Sequence, residues 1–468
     1  MSFISQAGGY LFLAIFGIIM ILVTYFFARK HKDKTKEGFL VAGRKVKWLT
    51  GGASIAASWI WAPALFISVQ VAYEMGLAGI FWFAVPNMIA LGIFAFLAPR
   101  IRKLLPEGYT LPQFIKHRLK SKKVHNMYLV PYVFYQVMAV TVQLFAGGSL
   151  VSLITGIPLL IVMPILAIIA LAYTLISGLK ASIITDFVQI ILIVVIGAVI
   201  LPMTWAAAGP GAITAGLTGI KGITSIFNGN VAFSFGIVTA IGLIAGSISD
   251  QQYWQRSFAI KKSHLGRSFV FGAILFGIVP LALSTLGFIG KSIGTVLPAG
   301  IDVSMIGVQT VANLLPGWAL MLFVIMLLSG LSSTLDSGLC AFSSLWVTDI
   351  APKIKDSIKS ARYAMIGITL AGLAIALSVI YIPGFGLMHL WWVFNTVAAC
   401  VLVPTLLALY WKKLSAKGVF YGILTAFIIG IPVFIYGNII GSAVWIVGAT
   451  LFIIAVSTGF CLAMPKKA

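Results

Sequence analysis

Long apolar stretches alternate along the chain with short segments that are rich in lysine and arginine. A helix that crosses the hydrocarbon core of a bilayer needs roughly 20 consecutive apolar residues. The pattern therefore predicts an all-α, polytopic membrane protein with about thirteen transmembrane helices in a single domain over residues 1–468. The predicted spans are 7–28, 48–74, 80–99, 126–152, 158–177, 183–205, 231–255, 268–290, 315–346, 363–382, 387–410, 418–436 and 442–463.

Two of the predicted spans, 48–74 and 231–255, are interrupted by residues that weaken or break helices. The interrupting residues are Gly51, Gly52, Pro63, Gly242 and Gly246. Glycine and proline are also common in ordinary transmembrane helices. A pair of interrupted spans at corresponding positions of two halves is nevertheless typical of transporters that are built from inverted repeats. We therefore expect inverted five-helix repeats with two broken helices.

The same interpretation divides the membrane domain into four parts. A first helix and its cytoplasmic loop occupy 1–47, repeat one occupies 48–205, repeat two occupies 231–410, and two extra helices occupy 418–463. A basic cluster follows the first apolar run instead of preceding it, which is the reverse of a cleavable signal peptide. The first helix is therefore expected to be retained.

Composition and charge narrow the class of protein. Only 9% of the residues are charged and 60% are hydrophobic, whereas soluble domains carry about 25% charged residues, so a soluble fold is excluded. The net charge of +22 first suggests a nucleic-acid partner. However, 30 of the 32 basic residues fall in alternate loops, and only Lys221 and Lys291 fall in the others. This distribution follows the positive-inside rule and argues against nucleic-acid binding.

The basic loops also predict the orientation of the chain in the membrane. They place the amino terminus outside and the carboxyl terminus in the cytoplasm, with the plasma membrane as the expected location. The sequence contains three cysteines without metal-ligand spacing, and neither a nucleophile–base pair nor a phosphate-binding loop. An enzyme and a bound cofactor are therefore not expected.

Several stretches of the sequence resemble one family of transporters. Residues Ser177–Gln189 read SGLKASIITDFVQ and are similar to a signature of the sodium:solute symporter family. Residues Ser332–Ile350 read SSTLDSGLCAFSSLWVTDI and resemble the ninth span of that family. The urea and polyamine branch is the most similar, through Ala42–Ala62, Tyr73–Ala84 and Asp250–Arg256.

The resemblance implies a ten-helix inverted-repeat core that works by alternating access. It implies sodium-coupled symport of a small polar organic solute, with urea or a related small amide as the first candidate. A sodium- or proton-coupled symporter of an organic cation, a polyamine or an amino acid such as proline remains an alternative. An uncoupled channel or facilitator is a second alternative, and a membrane sensor is disfavoured because few residues follow the last span. The oligomeric state stays open.

The resemblance also implies a sodium site that is made of oxygen atoms from two spans. The hydroxyl groups would come from Ser333 and Thr334, and the carbonyl groups from Ala57, Ile60 and Gly330. A broken helix frees backbone carbonyls for such a site. From the residues alone, hydroxyl groups that bond to carbonyls of their own helix are the simpler interpretation.

Acidic residues in the spans predict a second site, for a cation or a proton, formed by Asp186, Asp336 and Ser337. An ionisable side chain within a span is costly and points to a function. An interfacial ion pair with Lys180 is the alternative role of Asp186. The resemblance implies a small hydroxyl residue at the position of Asp336, so this departure leaves both sodium and proton coupling open.

Aromatic and amide residues near the two interrupted spans predict the solute site. An aromatic cavity with one carboxylate suits urea or another planar amide, and it also suits an organic cation through cation–π attraction. No arginine or lysine is expected at mid-span nearby, which disfavours an anionic solute. Each aromatic residue could instead serve packing or the membrane interface. The predicted solute-binding residues are Trp59, Trp61, Gln70, Trp82, Phe83, Asp250, Gln251, Tyr253 and Trp254.

Overall fold

The computed structural model describes residues 3–30, 35–176, 178–382 and 384–466. Across these ranges the chain is helical, and its extended backbone pairing is limited to an isolated bridge between Val46 and Ile260. The predicted all-α membrane fold is therefore confirmed.

The helices are numbered in chain order. The first ten are α1 (Gln6–Lys30), α2 (Lys36–Val41), α3 (Trp48–Trp59), α4 (Ser68–Gly92), α5 (Phe94–Leu104), α6 (Leu111–Leu119), α7 (Lys122–Thr155), α8 (Leu159–Thr174), α9 (Leu179–Ala208) and α10 (Ala212–Gly216). The remaining ones are α11 (Gly229–Val231), α12 (Ile237–Ser249), α13 (Gln251–Ala259), α14 (Leu265–Ser292), α15 (Ile306–Leu314), α16 (Gly317–Leu345), α17 (Ser357–Val379), α18 (Leu387–Tyr410), α19 (Ala416–Thr425), α20 (Ile431–Ile439) and α21 (Ala443–Ala463).

Short irregular helical turns extend several of these helices. Turns of π-helix occupy Pro63–Ile67, Ala232–Gly236, Trp346–Ile350 and Ala426–Gly430. Turns of 3₁₀-helix occupy Ala42–Arg44, Lys262–His264 and Val303–Met305. Residues with short polar side chains cap the amino ends of many helices by accepting a hydrogen bond from a backbone N–H. Examples are Thr35, Thr110, Ser121, Asn228, Asp250, Asp356 and Ser415.

Within the described residues, eleven helical stretches are long and apolar enough to cross a membrane, so the predicted count of thirteen is not confirmed. The second and third predicted spans meet in one helical stretch of 42 residues, Pro63–Leu104. The fifth predicted span is α8, whose 16 residues rise about 24 Å, less than the roughly 30 Å of a hydrocarbon core.

The long stretch Pro63–Leu104 is interrupted at Gly76, whose φ of 59° and ψ of −140° are not helical. A Cβ atom at this position would lie 2.0 Å from the carbonyl oxygen of Leu217. The backbone of Leu217 accepts a hydrogen bond from Leu77 N–H at 2.8 Å. Glycine is therefore required here, because only glycine tolerates both this backbone conformation and this approach.

Both predicted broken helices are present. Of the five residues predicted to interrupt them, only Pro63 lies at a break, and the four glycines do not. Gly51 and Gly52 lie inside α3, and Gly242 and Gly246 lie inside α12. These glycines serve close packing instead. A Cβ at Gly52 would lie 2.8 Å from the carbonyl oxygen of Ser268, for example.

The first break follows Trp59, where Ile60 has the non-helical ψ of 66°, and helix resumes at Pro63. Proline lacks a backbone N–H and disfavours helical geometry in the residue before it. The second break is at Asp250, whose φ of −82° and ψ of 112° are extended. The carboxylate of Asp250 accepts a hydrogen bond from Gln252 N–H at 2.9 Å and so begins α13. Around the breaks, α3 packs on α9 and α16, whereas α12 packs on α7 and α13 packs on α16.

Candidate functional site

The break after α3 brings a free carbonyl group to a hydroxyl group of α16. The side chain of Thr334 donates a hydrogen bond to the carbonyl oxygen of Ile60 at 3.1 Å, and both residues are buried. The carbonyl of Ala57 accepts the N–H of Ile60 at 3.2 Å. A Cβ at Gly330 would lie 3.3 Å from the side-chain Cγ2 of Ile60, so Gly330 packs against that side chain. The structure thus places Ala57, Ile60, Gly330 and Thr334 near one another, and their role in binding sodium remains a prediction.

The fifth predicted residue, Ser333, points to a neighbouring carboxylate. Its hydroxyl donates a hydrogen bond to Asp186 Oδ1 at 2.5 Å. On the other side of the carboxylate, Ser54 of α3 donates to Asp186 Oδ2 at 2.6 Å. The hydroxyl of Ser333 therefore bonds to Asp186 and does not reach the carbonyl groups at the first break.

Asp186 forms a fully buried ion pair with Arg256 of α13. The Nη2 atom of Arg256 lies 2.8 Å from Asp186 Oδ2, and neither side chain is exposed. The same Nη2 donates to Ser337 Oγ at 2.7 Å, and Nε donates to Ser54 Oγ at 2.9 Å. The partner of Asp186 is therefore not Lys180, which lines a cavity at the end of α9.

No arginine or lysine was expected at mid-span near the solute site, and the structure buries one, Arg256, in the helix that follows the second break. Because Arg256 directly follows the predicted span 231–255, it was expected in a basic loop, but it lies inside α13, which is buried along its whole length. The signal that favoured the loop was the run of basic residues that follows, Lys261 and Lys262. The partner carboxylate lies 70 residues away, so the pairing could not be found from local pattern.

Asp336 lies on α16 two residues after Thr334 and has its own surroundings. It is buried, and the thiol of Cys340 lies 4.0 Å from its Oδ1 atom. The structure therefore pairs Asp186 and Ser337 with Arg256, whereas Asp336 lies apart from this pair and contacts the thiol of Cys340. The predicted second cation or proton site remains a prediction at Asp336.

An aromatic pocket lies directly beside the first break. Of the predicted solute residues, Trp59, Trp61 and Phe83 line it. Sequence reasoning missed its other polar and aromatic members, which are Asn87, Tyr135, Trp391, Phe394 and Asn395. The cavity volume is about 20 Å³, which is room for about one water molecule. The pocket is therefore nearly closed in this conformation.

The two tryptophans of the break differ in their hydrogen bonding. The indole N–H of Trp59 donates to Asn87 Oδ1 at 2.8 Å. Trp61 stacks on Phe394 with ring centroids 5.3 Å apart, and its buried indole N–H has no partner among the described residues. A buried donor without a partner is unfavourable, so Trp61 offers a hydrogen bond to a bound molecule.

A second group of polar atoms lies at the other break, next to Trp59. The carboxylate of Asp250 accepts a hydrogen bond from Gln136 at 3.0 Å, and the ring of Tyr253 meets Trp59 edge-on at 5.0 Å. Several buried atoms in this group have no partner within the described chain: Asp250 Oδ2, Gln136 Oε1, both amide atoms of Gln252 and the hydroxyl of Tyr253. These atoms are free to bind a polar solute or water.

Glutamines of α7 were missed as site residues although the sequence carries a signal for them. Gln136 and Gln143 are seven residues apart in an apolar helix and therefore share one face. Gln143 Oε1 accepts the N–H of Ala62 at 3.0 Å, which satisfies the backbone at the first break. Two buried amides on one face of a span indicate a polar function.

Two predicted solute residues lie away from the pocket on the side of the loop 217–228. Gln70 donates a hydrogen bond to Glu74 at 2.9 Å, and the indole N–H of Trp82 donates to the carbonyl of Ile226 at 3.2 Å. Neither residue lines the aromatic pocket. The structure therefore does not bring them to the two breaks.

Gln251 and Trp254 follow the second break but serve the surrounding backbone. The side chain of Gln251 donates to the carbonyl of Tyr109 at 2.9 Å, and the indole N–H of Trp254 donates to the carbonyl of Ile248 at 2.6 Å. Both side chains are buried. Within the second break, Asp250 and Tyr253 remain the predicted residues with free polar atoms.

The loops that carry most of the basic residues meet at one end of the molecule, which we call the basic face. There Asp349 accepts hydrogen bonds from His125 at 2.8 Å and from Thr110 at 2.6 Å. Arg44 pairs with Glu37 at 3.0 Å. Asp349 therefore joins distant segments of this face through buried polar contacts, whereas the pair of Arg44 and Glu37 is local and partly exposed.

The basic face also contains a cavity of about 570 Å³ between α2, α3 and α9. Lys45, Lys47 and Lys180 contribute to its walls, together with Thr50 and Ile183. Thr50 lies one helical turn before Ser54, and Ile183 one turn before Asp186. The cavity therefore reaches within about one turn of the buried ion pair.

Two broken helices that meet beside a buried aromatic pocket are typical of secondary transporters. The model of the sodium:solute symporter family matches residues 39–426, and the chain belongs to this family. It is an integral membrane protein of that family.

The chain is similar to curated transporters over most of its length. It is 23% identical to the urea-proton symporter DUR3 of Oryza sativa, covering 92% of this chain and 66% of that protein. It is 24% identical to the urea active transporter of Saccharomyces cerevisiae, covering 88% and 61%. It is 26% identical to the sodium/glucose cotransporter of Vibrio parahaemolyticus, covering 88% and 82%. The chain thus spans less than two thirds of the length of both urea transporters.

Two solved structures share the fold. A Na⁺-coupled sialic acid symporter in a substrate-bound outward-open state matches with a TM-score of 0.75 at 17% identity, over 98% of both chains. The nucleobase-cation symporter Mhp1 in a closed conformation matches with a TM-score of 0.58 at 13% identity, over 92% of this chain and 96% of that one. These similarities confirm the transporter fold that the two broken helices predicted.

Proposed function

We propose that this chain is a sodium-coupled symporter of a small polar organic solute, with urea or a related small amide as the first candidate. The observation that carries this proposal is the break after α3. Its Ile60 carbonyl contacts Thr334, and its Trp59 and Trp61 side chains line the aromatic pocket. Ion and solute would therefore bind to the same few residues, which couples the two binding events.

The proposed sodium site uses oxygen atoms of α16 and of the end of α3. These are the hydroxyls of Ser333 and Thr334 and the carbonyls of Ala57, Ile60 and Gly330, and Ser333 would have to turn from Asp186 toward the ion. Sodium is a hard cation that prefers oxygen ligands, as calcium and magnesium do. The hydroxyl of Thr334 already reaches the carbonyl of Ile60, so the donor set fits the ion. A bound cation would hold α3 against α16.

The proposed solute site suits a flat amide. The unpartnered indole N–H of Trp61 would donate to the carbonyl oxygen of urea, and the aromatic rings would cover its faces. Its N–H groups would donate to Asn395 or to the free oxygen of Asp250. The other predicted residues, Gln70, Trp82, Gln251 and Trp254, do not line the aromatic pocket and lie outside this proposed site.

An organic cation is the second candidate solute, and a proton is the second candidate coupling ion. The free oxygen of Asp250 beside the ring of Tyr253 favours a cation. The DUR3 relative is a urea-proton symporter by name, and Asp336 is a buried acid that is available for this role. We propose the orientation with the basic face in the cytoplasm, in the plasma membrane, from the distribution of basic residues.

Transport would proceed by alternating access. We take the conformation in which Asp349 joins segments of the basic face as the form closed on that side, and the aromatic pocket is nearly closed in it. Sodium and solute would bind from the opposite side and stabilise the ordered form of the break. Opening of the basic face would then release both. A ligand shifts this equilibrium only by its different affinity for the two conformations.

The test is solute uptake by purified protein in proteoliposomes, with and without an inward sodium gradient. We expect concentrative urea uptake that requires sodium and that is lost in Thr334→Ala. The matched control is Thr369→Ala, since Thr369 bonds to its own helix at Met365 and should tolerate the change. If urea only equilibrated across the membrane and needed no sodium gradient, the result would instead indicate a channel.

A panel of solutes identifies the substrate. Urea, short amides, polyamines, proline and sugars are added during thermal unfolding, in sodium and in potassium buffer. We expect small amides to stabilise the protein only in the presence of sodium. Stabilisation by polyamines alone would favour the organic cation, and stabilisation that follows pH instead of sodium would favour proton coupling.

A further inference from the structure

Arg256 occupies an oxygen-lined position that resembles a cation site. Around it lie the carboxylate of Asp186 and the hydroxyls of Ser54 and Ser337, at distances of 2.7 to 2.9 Å. Ser333 completes the set by donating to the far oxygen of the same carboxylate. Carboxylate and hydroxyl oxygens are the ligands that hard cations take. Here a guanidinium, which is always charged in proteins, takes them instead.

The charges of this position are balanced without any ion. Asp186 and Arg256 are both fully buried, and their opposite charges cancel. All three of the guanidinium nitrogens donate to a buried oxygen, since Nη1 also reaches the carbonyl of Gln252 at 3.2 Å. A second sodium ion would therefore meet a neutral pair with its hydrogen bonds already made.

We propose that Arg256 is a built-in counter-ion that fills a second cation position, so that the carrier binds a single sodium ion, at the Thr334 site. The number of transported sodium ions rests on the proposed function. The competition between Arg256 and a cation for Asp186 can be tested whether or not that function is correct. Asp186 and Ser337, which the sequence predicted as part of a cation or proton site, are assigned by this proposal to Arg256.

Removal of the guanidinium would expose a real vacancy for an ion. An unpaired carboxylate inside a membrane protein is strongly unfavourable, and the surrounding hydroxyls of Ser54, Ser333 and Ser337 can bind a cation in its place. The cavity of the basic face reaches within one turn of Asp186 through Thr50 and Ile183, which gives ions in solution an approach.

The experiment counts sodium ions by equilibrium binding of radioactive sodium to the purified protein without solute. We expect one ion per wild-type protein, two for Arg256→Gln, and one for the double variant Asp186→Asn/Arg256→Gln. The double variant is the matched control because it lacks the same ion pair but also lacks the carboxylate. In transport, the Hill coefficient for sodium should rise from about 1 to about 2 in Arg256→Gln, as a second coupled ion requires.

Two results would overturn the proposal: two sodium ions on the wild type, or no extra ion on Arg256→Gln compared with the double variant. If Arg256→Gln does not fold, the wild-type count still decides, and Thr334→Ala shows whether the single ion is lost. If the wild type binds no sodium, the proposed sodium coupling fails. In that case the difference between the single and double variants still tests the position at Asp186.

Discussion

Three consecutive residues at the break after α3 face both proposed ligands. Ile60 presents its carbonyl to Thr334, and the rings of Trp59 and Trp61 on either side of it line the aromatic pocket. Gln143 holds the next backbone N–H, that of Ala62. An ion that orders Ile60 must therefore also order the two rings, because the three residues share one short segment. This arrangement gives a physical basis for coupling at the scale of single residues.

Trp61→Phe tests whether the free indole N–H recognises the solute. The substitution keeps the aromatic stacking on Phe394 but removes the buried donor. Loss of one buried hydrogen bond costs about 1–3 kcal/mol, which corresponds to a KM for urea that is roughly 5- to 150-fold higher. Sodium binding without solute should be unchanged.

The control for this substitution is Trp445→Phe. Trp445 lies half exposed on α21 and does not line the pocket. Uptake kinetics measured across urea concentrations check both variants. A KM for Trp61→Phe equal to that of the control would show that the indole N–H does not contact the solute.

At the scale of helices, the sequence revealed that two spans are broken but not where. Pro63 marks the first break correctly, because proline acts through its own backbone. The four glycines gave the wrong position for the breaks. Glycine in a membrane helix commonly allows close helix packing without breaking the helix, as Gly52 does against α14. Asp250 is the N-cap of α13, a position that favours aspartate, so the second break did carry a local signal besides the glycines.

From the sequence, only those site residues could be predicted that stand together in a local motif. The adjacent hydroxyls of Ser333 and Thr334 stand in one motif; the structure places Thr334 at the first break, whereas Ser333 points to Asp186. The pair of Asp186 and Arg256 joins residues of different helices, so no local pattern announces it. Long-range pairs of this kind are set by tertiary packing and not by spacing along the chain.

Gly76→Ala tests the break that divides the long stretch Pro63–Leu104. An alanine Cβ would lie 2.0 Å from the carbonyl of Leu217, and the backbone φ of 59° would strain any side chain. We expect loss of folded protein or a destabilisation above about 4 kcal/mol. Gly92→Ala is the matched control, because a Cβ there meets nothing within 4 Å and should be tolerated. Thermal unfolding in detergent compares the two. Equal stability would mean that this helix does not bend at Gly76.

At the scale of the whole molecule, the basic residues serve two purposes. Most of them lie in loops that the structure gathers at the basic face, which agrees with their alternation along the sequence. Arg256 differs from them, since it lies inside the bundle and balances Asp186. A net charge of +22 therefore combines a topological signal with one buried arginine that we propose to be part of the transport machinery.

Closure of the basic face depends on contacts between segments that are far apart in sequence. Asp349 lies in the π-helical turn Trp346–Ile350 that follows α16. It accepts hydrogen bonds from Thr110 at the start of α6 and from His125 near the start of α7. All three side chains are buried. Alternating access requires that such contacts exist in the closed form and are lost when this face opens.

Asp349→Asn should shift the molecule toward the form that is open at the basic face. Hydrogen bonds to a charged group are worth about 1.5–3 kcal/mol, and removing the charge weakens both contacts of Asp349. The equilibrium between closed and open forms would move by roughly 10-fold or more, since each 1.4 kcal/mol is a factor of ten. Hydrogen exchange should become faster in the backbone of 105–111 and 346–350, while sodium added without solute should slow it again.

The matched control is Asp356→Asn. Asp356 also lies at the basic face and caps α17 through Lys359 N–H at 2.9 Å, but this contact is exposed and local. Its substitution should affect exchange only at the start of α17 and leave urea uptake unchanged. If Asp349→Asn gave the same local pattern as this control, the contacts of Asp349 would be part of the static fold, and closure of the basic face would have to rest on Arg44 and its carboxylate partners.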